Sequence, residues 1–196
     1  ADTLLPPSVL GHDPELKAFA QGYELEKAKA LLREAGFKQS PDGNWERDGK
    51  KLSGRLLTST RAPNEAIATL LQSQLKEIGV PIEIQQLDSA AVMKATNEGA
   101  FDLLLWRYDW NDPSALNIYL SSSRLRQTNR VFYSNPTVDA LLERGIYEQD
   151  PAKRSEIYKE AQKIILADAP WQPLYHPTEV MVFRNRVKGI AIGSMG

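Results

Sequence analysis

The sequence predicts an α/β protein, a mixed sheet with flanking helices, and three observations carry that prediction. Residues 52–87 read as strand, helix, strand. The run Phe101–Trp106 is apolar and short enough to be a further buried strand, and two proline-initiated helices come after it. A strand, helix, strand unit normally closes as a right-handed parallel crossover, which makes 52–87 the architectural nucleus.

Taken in order, residues 1–22 show no periodic pattern and read as an irregular leader or crossover, with 23–196 as a single α/β lobe. Leu25, Ala28, Leu31, Leu32 and Ala35 recur at helical spacing, and Gly36 follows where a helix end favours a residue tolerant of positive φ. Asp48-Gly49 separates Asn44–Arg47 from Lys51–Ser59 as a hairpin turn separates two strands. Pro63-Asn64 opens a helix with Ile67, Leu70, Leu71, Leu75 and Ile78 on one face; Gly79 ends it, and Val80–Ile84 alternates as a strand.

Asp88 is placed to cap a short helix that runs through Val92 and Met93 and stops near Gly99. Asn135-Pro136 and Asp150-Pro151 each set a capping side chain directly before a proline suited to a first helical turn. The second of these helices carries a buried stripe of Ile157, Tyr158, Ala161, Ile164 and Ile165. Trp171–Tyr175 and Glu179–Phe183 read as closing strands.

Composition narrows the function. A chain of 196 residues, 42% hydrophobic and 25% charged, has the makings of one ordinary globular core. With 24 basic and 25 acidic side chains the net charge is −1, so no long-range field draws in nucleic acid, and none is expected as a partner. The absence of cysteine excludes disulfides, thiol nucleophiles and cysteine-containing metal sites. The longest apolar runs fall far short of the roughly 20 residues a membrane-spanning helix needs. The amino terminus lacks the basic start and apolar run of a signal peptide, and the expectation is an excerpt of a longer chain.

Ligands of open α/β sheets collect beyond the carboxyl ends of the parallel strands. Two segments lie there: Thr58-Ser59-Thr60-Arg61, and Trp106 through Pro113. If the three strands are parallel, both leave the same edge. The second compresses two tryptophans, a tyrosine, an arginine and two aspartates into the positions from Trp106 to Asp112.

Aromatic walls with isolated charges suit ligand capture. Trp106, Tyr108 and Trp110 offer rigid apolar surface, and Asp109 offers a charge-assisted bond to an ammonium group. Arg61 and Arg107 carry guanidinium forks that match a carboxylate, and Thr58 completes the candidate set. The plainer reading stays open beside this one: aromatics after a strand as core, Asp112-Pro113 as a helix start, the arginines as solvated surface. His12 and His176 each lack a local partner for a metal pair or a nucleophile dyad, and no phosphate loop or Gly-x-Ser-x-Gly elbow is present. No enzyme activity, cofactor or metal is expected.

Six segments in order resemble one family, the peptide- and nickel-type solute-binding proteins of bacterial ABC importers, known as extracellular solute-binding family 5. They are Tyr23–Phe37, Leu70–Val80, Gly99–Trp106 with Asp109–Pro113, then Asn129 with Tyr133–Pro136, Val138-Asp139 and Leu141-Leu142. Asp150 with Arg154, Tyr158 and Gln162 forms the fifth, and Pro170–Tyr175 with Val187-Lys188-Gly189 the sixth. The resemblance implies a type II periplasmic-binding-protein lobe, the last lobe of a longer receptor whose amino-terminal lobe is missing here.

The resemblance also implies a monomer in the periplasm, or membrane-associated outside the cell, that captures a di- or oligopeptide and delivers it to an ABC permease. In peptide-binding members the cleft-loop aspartate holds the peptide's α-amino group; it aligns with Asp109, and a neighbouring tryptophan aligns with Trp106. The stretch Phe101–Pro113 is a little shorter than the family's usual pattern, so Trp106 and Tyr108 compete for one position. A nickel chelate, an oligosaccharide or an opine is the alternative guest, and a ligand-sensing scaffold lobe without a transport role the alternative function.

Overall fold

The computed structural model describes residues 1–178, 180, 182–184 and 186–190. The chain divides into two compact units: Gly22–Arg107, and Ala1–Gln21 together with the chain from Tyr108 onward.

The first unit opens with helix α1, Leu25–Glu34, where the sequence predicts a helix, but none of its residues is buried and Leu31 of the expected apolar face is 53% exposed. Three short strands, β1 (Lys38–Gln39), β2 (Trp45–Arg47) and β3 (Lys50–Lys51), form an antiparallel sheet in that order. Asp48 and Gly49 both take positive φ, 54° and 71°, as a two-residue hairpin turn requires. Trp45 is fully buried and its indole N–H donates to the Ile78 carbonyl at 2.6 Å. Gly79 has φ 87°, and a Cβ there would sit 2.1 Å from the Gly43 carbonyl oxygen, so the backbones meet only because the position is glycine.

Strand β4 (Gly54–Ser59), helix α2 (Asn64–Glu77) and strand β5 (Ile82–Leu87) make the expected parallel crossover. Helix α3 (Ser89–Glu98) leads to β6 (Leu103–Leu105), and the parallel sheet has the order β5-β4-β6. The Asp88 carboxylate caps α3 by accepting from the Ala90 and Ala91 amides, and Gly99 closes it in the left-handed conformation. Leu56, Ala68, Ile82 and Leu105 form the buried centre, with Ile67, Leu71 and Leu75 packed around it.

Two further details of this unit differ from expectation. The predicted arm Lys51–Ser59 is split: Lys50–Lys51 pairs with β2, while β4 begins at Gly54 in the other sheet. Leu70 is 58% exposed, because α2 turns Ala68, Leu71 and Leu75 toward the sheet and 100° per residue carries Leu70 away from that line.

The second unit is helical. It contains a 3-10 turn at Pro14–Phe19, helix α4 (Ala115–Leu120), a second 3-10 turn at Ser122–Arg124, and helices α5 (Pro136–Tyr147) and α6 (Pro151–Asp168). Asn135 and Asp150 cap α5 and α6 as their position before proline predicts, each accepting from the second and third amides of its helix. The amino-terminal stretch, expected as irregular, is part of the core: Leu4, Leu5, Val9 and Leu16 are buried among Leu116, Leu120, Leu142, Tyr158 and Ile165.

The Gln162 amide fastens that stretch to α6 by accepting from Leu5 N at 3.3 Å and donating to Gly11 O at 2.8 Å. Gly145 lies against the Tyr158 ring, where a Cβ would come within 2.8 Å of Cζ. The predicted strand Trp171–Tyr175 is not one: the segment has no strand partner among the described residues, and Pro173 removes a ladder donor from its middle. The predicted strand Glu179–Phe183 includes Glu179 and Met181, which lie outside the described residues.

Candidate ligand-binding site

The register of the parallel sheet sets Thr58 of β4 opposite Leu105 of β6. The loops that follow the two strands therefore leave one carboxyl edge, as the sequence expectation requires. A buried web holds that edge. Thr58 Oγ1 donates to the Leu105 carbonyl at 3.0 Å and accepts from Asn64 Nδ2 at 3.1 Å, which also reaches Ser59 Oγ at 3.1 Å.

Thr58 was expected at the ligand and is instead fully closed off from solvent, so its hydroxyl braces β4 against β6 and the start of α2. Arg61 stands exposed on the loop after β4, and Trp106 and Arg107 follow β6 half-buried.

The helical unit holds the other three predicted residues. Tyr108 and Trp110 come together with Tyr119 of α4 and with Trp171. Centroids are 5.6 Å apart for Tyr108 and Trp110, 5.1 Å for Tyr108 and Trp171, and 5.8 Å for Trp110 and Trp171, with interplanar angles of 10°, 22° and 15°. In a column of three rings one separation would be twice the others. These near-equal separations describe offset tiles instead, a geometry that aromatic quadrupoles favour.

Tyr119 leans on the group, 4.2 Å from Tyr108 at 43°. Burial pushes the Tyr108 phenol pKa up, and the Arg130 guanidinium beside it pulls the other way. Asp109 is exposed, on a residue held at both neighbours by rings of this cluster.

Asp112 has a different task. Arg154 of α6 grips its carboxylate with both terminal nitrogens, at 3.0 Å (Nη1 to Oδ2) and 2.8 Å (Nη2 to Oδ1). Arg154 Nε donates to the Gly145 carbonyl at 2.9 Å, and the guanidinium lies 5.3 Å over the Tyr158 ring. Asp112 Oδ1 also accepts from Ser114 N at 2.8 Å, opening the turn into α4. The Arg154 hydrogen bonds hold the Asp112 carboxyl well below the usual carboxylate range and push Arg154 up.

The two histidines meet around Thr3, which neither sequence position suggested. His12 Nδ1 lies 2.9 Å from the Leu5 carbonyl, His176 Nε2 lies 3.1 Å from the Thr3 carbonyl, and both rings reach the Thr3 hydroxyl. Burial pushes the His176 pKa down. Among the described residues no group of three or more His, Cys, Asp or Glu is arranged to hold a metal ion. None of their helices is long and apolar enough to cross a membrane.

Tyr119, Trp171, Arg130 and Arg154 join the site residues only in the folded chain. Their partners are distant in sequence and leave no periodic trace; Arg154 and Trp171 stand only within the fifth and sixth resembling segments, and Asp150-Pro151 fixes the start of the helix that carries Arg154.

Residues 1–128 match the family described as "Bacterial extracellular solute-binding proteins, family 5 Middle". Di/tripeptide-binding protein 4 of Pseudomonas aeruginosa (strain UCBPP-PA14) is 31% identical over 195 residues, which is 97% of this chain and 35% of that protein. Heme-binding protein A of Haemophilus influenzae is 30% identical over 198 residues, 98% of this chain and 34% of that protein. Among solved structures, the oligopeptide-binding protein AppA from Bacillus subtilis in complex with a nonapeptide superposes with TM-score 0.72 at 27% identity, over 87% of this chain and 35% of that one. The chain thus spans about a third of the length of the curated relatives it matches.

Proposed function

The chain belongs to the bacterial extracellular solute-binding proteins of family 5, and from that premise we propose that it forms one wall of a cleft that captures peptides for an ABC importer. Its fold is that of the type II periplasmic binding proteins, and its relatives are binding proteins. The observation that carries the reading is the placement of Asp109: an exposed carboxylate whose two neighbours, Tyr108 and Trp110, are fixed in one aromatic cluster.

A rigid aromatic mount keeps the loop's entropy loss on binding small, and a carboxylate beside it takes a peptide's ammonium in a charge-assisted bond. Arg61, Arg107 and Trp106 are the remaining contacts in this proposal, with the guanidinium forks serving the peptide's carboxylate. Thr58 acts behind them, through the brace it forms with Asn64 and Leu105.

In this reading residues 23–196 act as a single lobe, 1–22 are the crossover from a companion lobe, and the receptor works as a monomer outside the inner membrane. A guest that satisfies both walls favours the closed form through that differential contact, and the closed form engages the permease. The named guests of the relatives differ, one a heme and others peptides, so the class of guest is the quantity to measure.

Native mass spectrometry of the protein carrying its companion lobe should reveal retained di- or oligopeptides; retention of heme, sugar or opine alone would overturn the peptide assignment. Calorimetry on Asp109→Asn should then show binding weakened by about 2–5 kcal/mol, the range for losing one partner of a charge pair enclosed on binding. Unchanged affinity would remove Asp109 from the site.

A further inference from the structure

We infer that Arg154, far from the cleft loop in sequence, is its positioning residue, setting the placement of Asp109 and Trp110 through a bidentate grip on Asp112. The inference rests on the proposed reading of that loop as a ligand contact.

Four observations support it. The grip uses both terminal nitrogens on both carboxylate oxygens, at 3.0 and 2.8 Å, which fixes direction as well as distance. The third nitrogen is bonded to the Gly145 carbonyl near the end of α5, so the guanidinium cannot swing without breaking a contact to a second helix. The Tyr158 ring lies beneath it at 5.3 Å, and that ring is fully buried against Gly145. Finally, Asp112 Oδ1 is shared with Ser114 N, so the carboxylate that Arg154 holds also sets where the loop ends and α4 begins.

The loop from Tyr108 to Asp112 is thereby pinned at both ends, by ring contacts at Tyr108 and Trp110 and by the guanidinium at Asp112. Asp109 lies within that span. The Arg154 side chain is 19% exposed and that of Asp112 48%, so the fork is held largely out of water and fixes direction as well as charge. Lysine at the same place keeps the charge and loses the fork.

The test uses the receptor with its companion lobe and, as probe, the tightest-binding member of a dipeptide and tripeptide panel. Arg154→Lys and Asp112→Asn should each weaken that probe by about ten- to a hundred-fold, the scale of a small misplacement of binding groups. The double variant should be no weaker than the worse single one, because both changes remove one contact. In the unliganded protein, amide exchange at residues 109–111 should rise in both variants while amides of β4, β5 and β6 keep their protection.

A melting temperature that falls with loop exchange and affinity unchanged would make Arg154 merely structural and overturn the inference. If the wild type binds no peptide, the functional reading fails on its own, and the exchange measurement still decides whether Arg154 orders the loop.

Discussion

The two units of this chain are built on different plans. In Gly22–Arg107 neighbours in space are mostly neighbours in sequence: β4, α2 and β5 follow one another, and Leu56, Ala68, Ile82 and Leu105 form one buried cluster among them. In the helical unit the core joins residues at opposite ends of the chain, with Leu5 and Gly11 bonded to Gln162 across more than 150 positions. The first plan leaves a periodic signature that anyone can read; the second leaves almost none, since Leu4, Leu5, Val9 and Leu16 follow no repeat. Polar side chains compensate: Gln162, Asn129, Arg154 and Asp112 tie loops to helices where strands would otherwise do so.

Leu5→Ala is the sharpest way to break this contrast. Leu5 is fully buried, and the truncation should cost about 2–5 kcal/mol in a denaturant titration, with amide protection lost across α5 and α6 more than across β4 and β5. A loss below about 0.5 kcal/mol, the range of exposed positions, would show that the amino-terminal stretch adds little to the core of this unit.

Thr58→Val is the matching change in the sheet unit. It leaves the Leu105 carbonyl without its hydroxyl donor and Asn64 without one acceptor, and should cost about 1–3 kcal/mol. Its exchange effects should stay within residues 54–105, and spread into α5 and α6 would contradict the division between the units.

The smallest effect expected is a dependence on pH. Burial holds the His176 pKa below its ordinary value of 6.5, so the unfolded chain takes up a proton before the folded one does. Stability should therefore be level above that value and decline as pH falls through it toward the lower folded value. His176→Gln should flatten that decline while leaving the neutral-pH stability of β4 to β6 untouched; an unchanged pH profile would show the ring to be solvated.

Much of the fold was legible because its signals are local. Asn135-Pro136 and Asp150-Pro151 marked the starts of α5 and α6, Asp88 marked α3, and Asp48-Gly49 marked the hairpin, each through a cap or turn decided within a few residues. The strand expected at Trp171–Tyr175 failed for the opposite reason. Its apolar residues alternate well enough, but a strand needs a partner, and alternation says nothing about whether one exists.

The site divides in the same way. The loop from Trp106 to Asp112 stood out by composition alone, whereas Trp171, Tyr119, Arg130 and Arg154 join it only through tertiary folding. Thr58 stood out by its place at a strand end, and only the coordinates of Asn64 and Leu105 reveal that its hydroxyl is already committed.

The interrupted make-up of the helical unit bears on how the chain is made. Residues 1–21 are synthesised before Gly22–Arg107, and α6, to which Gln162 fastens them, is synthesised after it. The local contacts of the sheet unit can form before α6 has been made, whereas residues 1–21 meet their α6 partners only after it has.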